Sequence, residues 1–354
     1  MTRNKMLAAL LASTALASPA LAADMEPVLK APARAAVAPI SGYLEMEGGG
    51  SWMHNDGVDG FFVAGTPASG DDRRWIFNGA MRANWWIAPA MSAQFDVWGG
   101  GDTFARGKDA FGGSVTAGTI GNANLGLHVS YRMPEQYLIG VFGAVGGIGS
   151  NNNCCLGGAA FTHGTLGLEG QWYSGPITLY GQGGVQTNLS NSNGGGNYTA
   201  WFLRGEARYY IDANLRVSAW GMYGEGRTDQ GYDFFPTAFI DWPAFNMKHA
   251  SAGVGVEKKL DGLPLSLFAR YRYAWTEFNA FDPDGDFSVG GHTSDNQITV
   301  GFRLYLNENT LRYNDRMGTT LDIKDVFTEA YRGFGRTWVC TTPSCGEGGG
   351  GGPF

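Results

Sequence analysis

Charged residues recur at every second position in several stretches of this 354-residue chain. Arg204, Glu206 and Arg208 follow this spacing, and so do Arg270 and Arg272. Residues two apart on a β-strand point to the same face, so these side chains would line one side of a sheet. Guanidinium groups that surround a pore attract anions through their fixed charge.

Nine arginines fall on the polar parity of the predicted strands, and we predict that they line a lumen together with Glu206. They are Arg74, Arg82, Arg132, Arg204, Arg208, Arg216, Arg270, Arg272 and Arg303. Six acids share that parity: Glu45, Glu47, Asp96, Glu169, Glu206 and Glu257. The arginines either line an open, anion-favouring lumen or pair with the acids and fill a narrow barrel as a polar core. The sequence leaves both interpretations open.

Two histidine–serine pairs suggest a hydrolase, because a nucleophile needs a base within hydrogen-bond reach. His128 lies two residues before Ser130, and His249 two residues before Ser251. Residues at this spacing on a strand are about 7 Å apart at the backbone. Neither pair has an evident third member, so we predict lumenal polar residues and no catalytic site.

Metal and cofactor sites are not predicted. The acidic turn from Asp282 to Asp286 lacks the glycine and the final glutamate of an EF-hand loop, since Phe287 and Thr293 stand there. Weak cation binding between loops stays open. Spacing favours a disulfide between Cys340 and Cys345 over a metal site. The adjacent pair Cys154 and Cys155 has no explanation in the sequence.

Apolar and polar residues alternate over long segments, which indicates strands with one apolar face. In residues 74–87 one parity is apolar or small and includes Trp75, Phe77 and Trp85, and the other carries arginine and asparagine. Residues 91–97 repeat the pattern after a link of only three residues. Two long strands joined this tightly form a hairpin.

The same unit recurs along the chain and gives about twelve strands, within a range of ten to fourteen. Short turns near residues 88, 134, 175, 213 and 262 alternate with long stretches rich in Gly, Asp and Asn. Short turns at one end and long loops at the other are typical of bacterial membrane barrels. We therefore predict an all-β fold: a transmembrane, antiparallel, up-and-down β-barrel.

Aromatic residues on the apolar parity cluster near the predicted strand ends, as in the interfacial belts of membrane barrels. Those toward the long loops are Trp52, Trp75, Trp201, Tyr223 and Trp275, and those toward the short turns are Trp85, Tyr131, Tyr137, Trp172 and Tyr209. A soluble barrel would instead bury its apolar parity inside, and alternation alone does not distinguish the two.

The ends of the chain have their own character. Residues 1–22 combine a basic start, an apolar stretch and a small-residue cleavage site, which predicts a signal peptide. Residues 23–41, rich in Ala and Pro, read as a flexible periplasmic lead-in. The barrel is predicted over residues 42–306 and a periplasmic tail over residues 307–354.

The tail has one helical pattern. Thr319 is a candidate N-cap with Asp322 three residues later, and apolar residues from Ile323 to Tyr331 share one face before Gly333. This predicted helix has three placements: on the periplasmic mouth of the barrel, inside the lumen as a plug, or against a partner.

These features together resemble the porin-like outer-membrane β-barrel proteins of alphaproteobacteria over residues 1–306. The resemblance is carried by the signal peptide, the mature start Ala23-Asp24 with Lys30-Ala31-Pro32, and the Gly-rich alternating hairpins. Such barrels normally end at the last strand with an aromatic residue, whereas here residues 307–354 follow Tyr305-Leu306. The resemblance implies integral outer-membrane location.

The sequence predicts passive diffusion of small hydrophilic solutes, with a mild preference for anions. The chain carries a net charge of −7, and residues 1–22 hold two positive charges and no acids, so the remainder carries −9. Nucleic acid is therefore excluded as a partner. The expected partners are outer-membrane lipid, small hydrophilic solutes, and either a second copy of the chain or a periplasmic protein bound through the tail. The alternative is a non-conducting structural or surface-interaction barrel, and an outer-membrane hydrolase comes third.

Overall fold

The computed structural model describes residues 40–59, 70–103, 106–108, 114–116, 119–151, 160–191, 198–228, 245–281, 288–307 and 309–323. The four cysteines (Cys154, Cys155, Cys340 and Cys345), the acidic turn at residues 282–286 and the predicted signal peptide lie outside these ranges. Within them, no helix is long and apolar enough to cross a membrane.

Fourteen strands and one helix make up the described chain. The strands are β1 (Ile40–Asp59), β2 (Gly70–Ala88), β3 (Met91–Thr103), β4 (Arg106–Lys108), β5 (Ser114–Thr116), β6 (Thr119–Met133), β7 (Tyr137–Asn151), β8 (Ala160–Ser174), β9 (Ile177–Asn191), β10 (Tyr198–Asp212), β11 (Leu215–Thr228), β12 (Phe245–Lys259), β13 (Leu265–Phe281) and β14 (Ser288–Tyr305). The helix, α1, spans Leu311–Met317.

Twelve of the strands form one closed antiparallel barrel, in which each strand pairs with its neighbours in the chain and β3 pairs directly with β6. The barrel closes where β1 pairs with β14, with Tyr43 opposite Tyr305 and Ser51 opposite Gln297. The short strands β4 and β5 form a separate ribbon. The predicted up-and-down barrel of about twelve strands is confirmed.

The apolar parity of the strands faces outward. On β2, Trp75 and Phe77 are 65% and 58% exposed, while Arg74 and Ile76 on the other parity are buried. Leu168 on β8 is 67% exposed. A soluble barrel would bury this parity, so the arrangement is the one expected when lipid surrounds the barrel.

The two ends of the barrel differ. Connections of two to five residues join the strands at one end, which we call the short-turn end, and longer segments join them at the other. Gly175 and Gly262 adopt positive φ angles of 52° and 72° in the short turns, a conformation that glycine enters without strain. Alternating connection lengths thus follow the predicted pattern.

The chain does not stop at the barrel wall but turns back into it. The backbone N–H of Arg312 donates to the Ala213 carbonyl at 3.1 Å, and that of Leu311 donates to Asn214 Oδ1 at 3.3 Å. Both acceptors belong to a short turn. Residues 309–323, which we call the plug, therefore enter at the short-turn end.

The only helix among the described residues lies earlier than the sequence predicts. α1 is capped by Thr310, whose Oγ1 accepts from the Tyr313 N–H at 3.2 Å. Residues 318–323 form no helix, so the predicted N-cap at Thr319 is wrong. The Thr319 hydroxyl instead donates to the Ser41 carbonyl of β1 at 3.0 Å. The remainder of the predicted helix, residues 324–333, lies outside the described ranges.

Apolar side chains inside the barrel form three clusters of described residues, and one plug residue completes each. The first joins Tyr43, Tyr210 and Tyr305 to Leu311. The second joins Leu138, Tyr173 and Tyr180 to Leu321. The third joins Phe142, Phe202 and Met222 to Ile323. The plug thus supplies apolar packing from the short-turn end into the lumen.

Candidate functional site: the lumen and its plug

The helix α1 lies across the short-turn end. Its Arg316 side chain binds the Glu135 carboxylate and the Gly175 carbonyl, both in short turns. The indole N–H of Trp86 on β2 donates to the Met317 carbonyl at 3.1 Å. Contacts to several turns and to the strand wall hold the helix across the mouth.

Past the helix, wall side chains satisfy the backbone of the plug. Arg132, which is fully buried, donates to the Gly318 carbonyl at 2.7 Å. Tyr180 and Gln182 donate to the Asp322 carbonyl at 3.1 and 2.9 Å. Buried backbone groups need such partners, and a segment without helix or sheet bonds must find them in side chains.

The two plug carboxylates bind arginines on β10. Asp315 binds Arg208 and accepts hydrogen bonds from the Thr178 and Thr320 hydroxyls, each at 2.7 Å. Asp322 binds Arg204. Burial opposes ionisation of Asp315, but the Arg208 guanidinium and its other neighbours outweigh it and lower the pKa of this carboxyl below the ordinary aspartate value. The plug is therefore fixed by charge as well as by packing.

Arg204 and Arg208 share one carboxylate of the wall. Glu206 Oε2 lies 2.7 Å from Arg204 Nη2, and Glu206 Oε1 lies 2.8 Å from Arg208 Nε. The guanidinium carbons of Arg204 and Arg208 lie 5.2 and 5.5 Å from the centroid of the Tyr180 ring. One strand carboxylate thus serves two arginines.

The adjoining wall, from β11 through β14 to β1, carries an alternating network of three arginines and three acids. Glu257 binds both Arg216 and Arg303 at 2.7 Å. Glu45 binds Arg303 at 2.5 Å and Arg270 at 2.9 Å, and Glu47 lies 2.9 Å from Arg270. On this wall the strand residues balance their own charges.

At least seven of the nine predicted lumenal arginines thus have a carboxylate partner. Besides those above, Arg74 binds Asp102 at 2.6 Å, and Arg82 lies 3.3 Å from Asp96. Arg132 binds neutral acceptors, and Arg272 lines the cavity described next. These contacts favour the polar-core interpretation over a row of unpaired guanidinium groups.

A cavity of about 200 Å³ remains between the plug and the charged walls. Its lining includes seven arginines, Arg82, Arg204, Arg208, Arg216, Arg270, Arg272 and Arg303. Five carboxylates also line it: Glu45, Glu47, Glu206, Asp315 and Asp322. Two of these five belong to the plug, so the plug supplies part of the negative charge that the arginines face.

In neither histidine–serine pair does the histidine form a hydrogen bond with its serine. His128 Nδ1 lies 2.8 Å from a Glu169 oxygen and its Nε2 3.3 Å from an Asp96 oxygen, whereas Ser130 bonds Ser92 at 2.9 Å. His249 Nδ1 lies 2.9 Å from the Thr276 hydroxyl. Across the described residues, no group of three or more His, Cys, Asp or Glu side chains is placed to hold a metal ion.

Sequence reasoning missed four lumenal acids: Asp102, Asp295, Asp315 and Asp322. Asp102 is buried on β3, just after the three glycines at 99–101. Asp295 on β14 accepts a hydrogen bond from the Gln297 side chain at 2.6 Å. Continuing the period of two through the glycines would have found Asp102. The plug acids carry no local signal of this kind.

Comparisons with known proteins give no family. No family model matches the chain, and no curated protein matches it. Three solved structures illustrate the similarities found. A Pseudomonas aeruginosa FadL homologue is 10% identical with a TM-score of 0.40, over 77% of this chain and 91% of that one. The Pseudomonas putida toluene transporter TodX is 8% identical with a TM-score of 0.39, over 75% and 89%. The translocator domain of the Neisseria meningitidis autotransporter NalP is 14% identical with a TM-score of 0.39, over 74% and 87%. Function therefore has to be inferred from the lumen itself.

Proposed function

We propose that this chain is an outer-membrane channel that its own plug closes at rest, and that it passes small hydrophilic solutes when the plug is displaced. The observation that carries the proposal is the placement of residues 309–323 inside the barrel, bound to the β10 arginines through Asp315 and Asp322. The apolar exterior and the aromatic residues near the strand ends support membrane insertion.

The chemistry of the wall supports hydrophilic solutes. The cavity is lined mostly by arginine, carboxylate, amide and hydroxyl groups. The apolar clusters of the described lumen are already occupied by Leu311, Leu321 and Ile323 of the plug. A solute that enters the lumen when the plug is displaced meets polar groups, which replace its water shell.

The contacts of the plug suit reversible displacement. When one partner of a buried ion pair is removed, the other is left uncompensated, at a cost of about 3–5 kcal/mol. When the plug leaves as a unit, Asp315 and Arg208 are both hydrated again, so much of the lost attraction is offset. Displacement of the whole segment is therefore easier than the number of its contacts suggests.

A second candidate is a non-conducting structural barrel. The filled lumen and the ion-pair network joining Glu45, Arg303 and Glu257 favour it. The structural barrel requires the plug to stay in place. It therefore predicts that the lumen remains closed to solutes in every plug variant.

Liposome swelling separates the two candidates. We expect the full chain with Asp315→Asn and Asp322→Asn to admit small sugars and amino acids faster than the unaltered chain does. Glu277→Gln is the control, because Glu277 on β13 pairs with Lys248 at 3.5 Å and accepts hydrogen bonds from Lys248 and Asn279 of the wall rather than from the plug. Equal and negligible swelling of all three folded proteins would favour the structural barrel.

A further inference from the structure

The charges of the β10 wall do not balance without the plug. Arg204 and Arg208 carry two positive charges, and Glu206, the strand acid that binds both, carries one negative charge. On the adjoining wall from β11 to β1, Arg216, Arg270 and Arg303 bind Glu45, Glu47 and Glu257. The excess of positive charge among these paired groups therefore lies at Arg204 and Arg208.

The plug fills this site with carboxylates. Arg208 Nη1 binds an Asp315 oxygen and also donates to Thr320 Oγ1 at 2.8 Å. The other Asp315 oxygen accepts from the Thr178 hydroxyl of β9. Arg204 Nη1 binds an Asp322 oxygen. Two guanidinium groups, a hydroxyl and the face of Tyr180 thus form a built receptor for a carboxylate.

We propose that Arg204 and Arg208 form a binding site for the carboxylate group of a small anionic solute, which the carboxylates of the plug occupy in this structure. The site deepens the proposed function and rests on it, because a solute gains access when the plug moves. A guanidinium group binds a carboxylate through paired, charge-assisted hydrogen bonds, and an incoming solute offers the same oxygens as Asp315.

The room beside the site fits such a ligand. The 200 Å³ cavity is bordered by Arg204, Arg208 and both plug aspartates, and it holds several water molecules or one small carboxylate. The plug is tethered to the barrel, so its carboxylates compete with a free solute at a high effective concentration. Neutralising them removes this competition without removing any wall residue.

Calorimetric titration of the full chain with acetate at constant ionic strength tests the site. We expect Asp315→Asn with Asp322→Asn to bind acetate about tenfold more tightly than the unaltered chain. Adding Arg204→Gln and Arg208→Gln to that variant should weaken binding by about tenfold or more, since a charged hydrogen-bond donor is lost. Adding Glu206→Gln instead should strengthen binding, because the shared wall carboxylate no longer competes.

Several outcomes would overturn the site. The first is an acetate affinity that does not change when the arginines are replaced. The second is equal acetate affinity with and without the plug aspartates, and the third is tighter binding of phosphate than of acetate. If the arginine double variant fails to fold, Arg204→Lys with Arg208→Lys keeps the charge but loses the paired geometry, and weaker binding is again expected. If the chain binds acetate but admits no solute, the proposed channel is wrong and the carboxylate site stands. If solutes enter but acetate does not bind, the carboxylate site is wrong and the channel stands.

Discussion

The side-chain amide of Gln94 on β3 binds both backbone groups of Leu321 in the plug. Gln94 Nε2 donates to the Leu321 carbonyl at 2.8 Å, and Gln94 Oε1 accepts from the Leu321 N–H at 3.3 Å. A single wall residue thus takes the role that a neighbouring strand would play. This contact pairs both backbone groups of Leu321, which would otherwise be buried without a partner from helix or sheet.

Replacing Gln94 with alanine should loosen the plug. The Leu321 backbone groups would stay buried without partners, which costs about 1–3 kcal/mol of docking free energy for each group left unsatisfied. Hydrogen exchange of residues 318–323 measures the effect, and we expect faster exchange. The control is Gln297→Ala, because Gln297 is a buried lumenal glutamine that donates to Asp295. Equal protection of the plug in both variants would contradict the role given to Gln94.

Gly126 on β6 makes room for Ile323. A Cβ atom at Gly126 would lie 2.7 Å from Ile323 Cδ1 and 3.0 Å from the Trp98 ring. Gly126→Ala should therefore weaken plug docking by about 1 kcal/mol, at the lower end of overpacking costs, because the Ile323 Cδ1 methyl is the end of a side chain and can shift. Gly181→Ala is the matched control, since a Cβ there meets nothing within 4 Å.

A second substitution tests the cause of the Gly126 effect. Ile323→Ala removes the atom that the new Cβ would strike, so Gly126→Ala should cost less in that background than alone. Protease sensitivity of the tail reports docking in all four proteins. Strictly additive effects would show that the two residues do not meet.

Leu321 is the most buried apolar contact of the plug, with an exposed fraction of 0% beside Leu138, Tyr173 and Tyr180. Leu321→Ala should reduce docking free energy by about 2–5 kcal/mol, because it removes buried methyl groups and leaves a cavity. Leu306→Ala provides the control, since Leu306 is 69% exposed at the end of β14. Similar tail protection in the two variants would contradict the burial of Leu321 in the lumen.

Docking of the plug should weaken in acid. The pKa of Asp315 is lower when docked, beside Arg208, Arg216, Thr178 and Thr320, than in the free segment, where it is about 4. The carboxylate therefore stabilises docking fully above about pH 4, and this contribution is lost as the pH falls toward the docked pKa. Other acids titrate in the same range, so the test compares the unaltered chain with Asp315→Asn. The variant should show a smaller change in tail protection between neutral and acid pH.

The barrel itself could be predicted from the sequence because its signals are local. Strand periodicity and the turns around Pro89, Gly175 and Gly262 depend on neighbouring residues only. Asp102 was missed because the glycines at 99–101 interrupt the alternation of apolar and polar residues, although β3 runs through them to Thr103.

The plug could not be placed from sequence, because its contacts join residues far apart in the chain. Thr319 has the features of an N-cap, but its hydroxyl binds Ser41, and Gln94 takes the N–H groups of Thr320 and Leu321. A helix beginning at Thr319 would compete with these wall contacts. Tertiary hydrogen bonds thus override the local helical pattern.

In the proposed mechanism, residues 309–323 close the channel at rest and leave it reversibly. Single-channel recording of the refolded full chain in planar bilayers, with and without Asp315→Asn and Asp322→Asn, tests it most directly. We predict rare or brief openings of the unaltered chain and frequent, longer openings of the variant, with Glu277→Gln behaving as the unaltered chain. Silence of the correctly folded variant, or steady large currents from the unaltered chain, would contradict the claim.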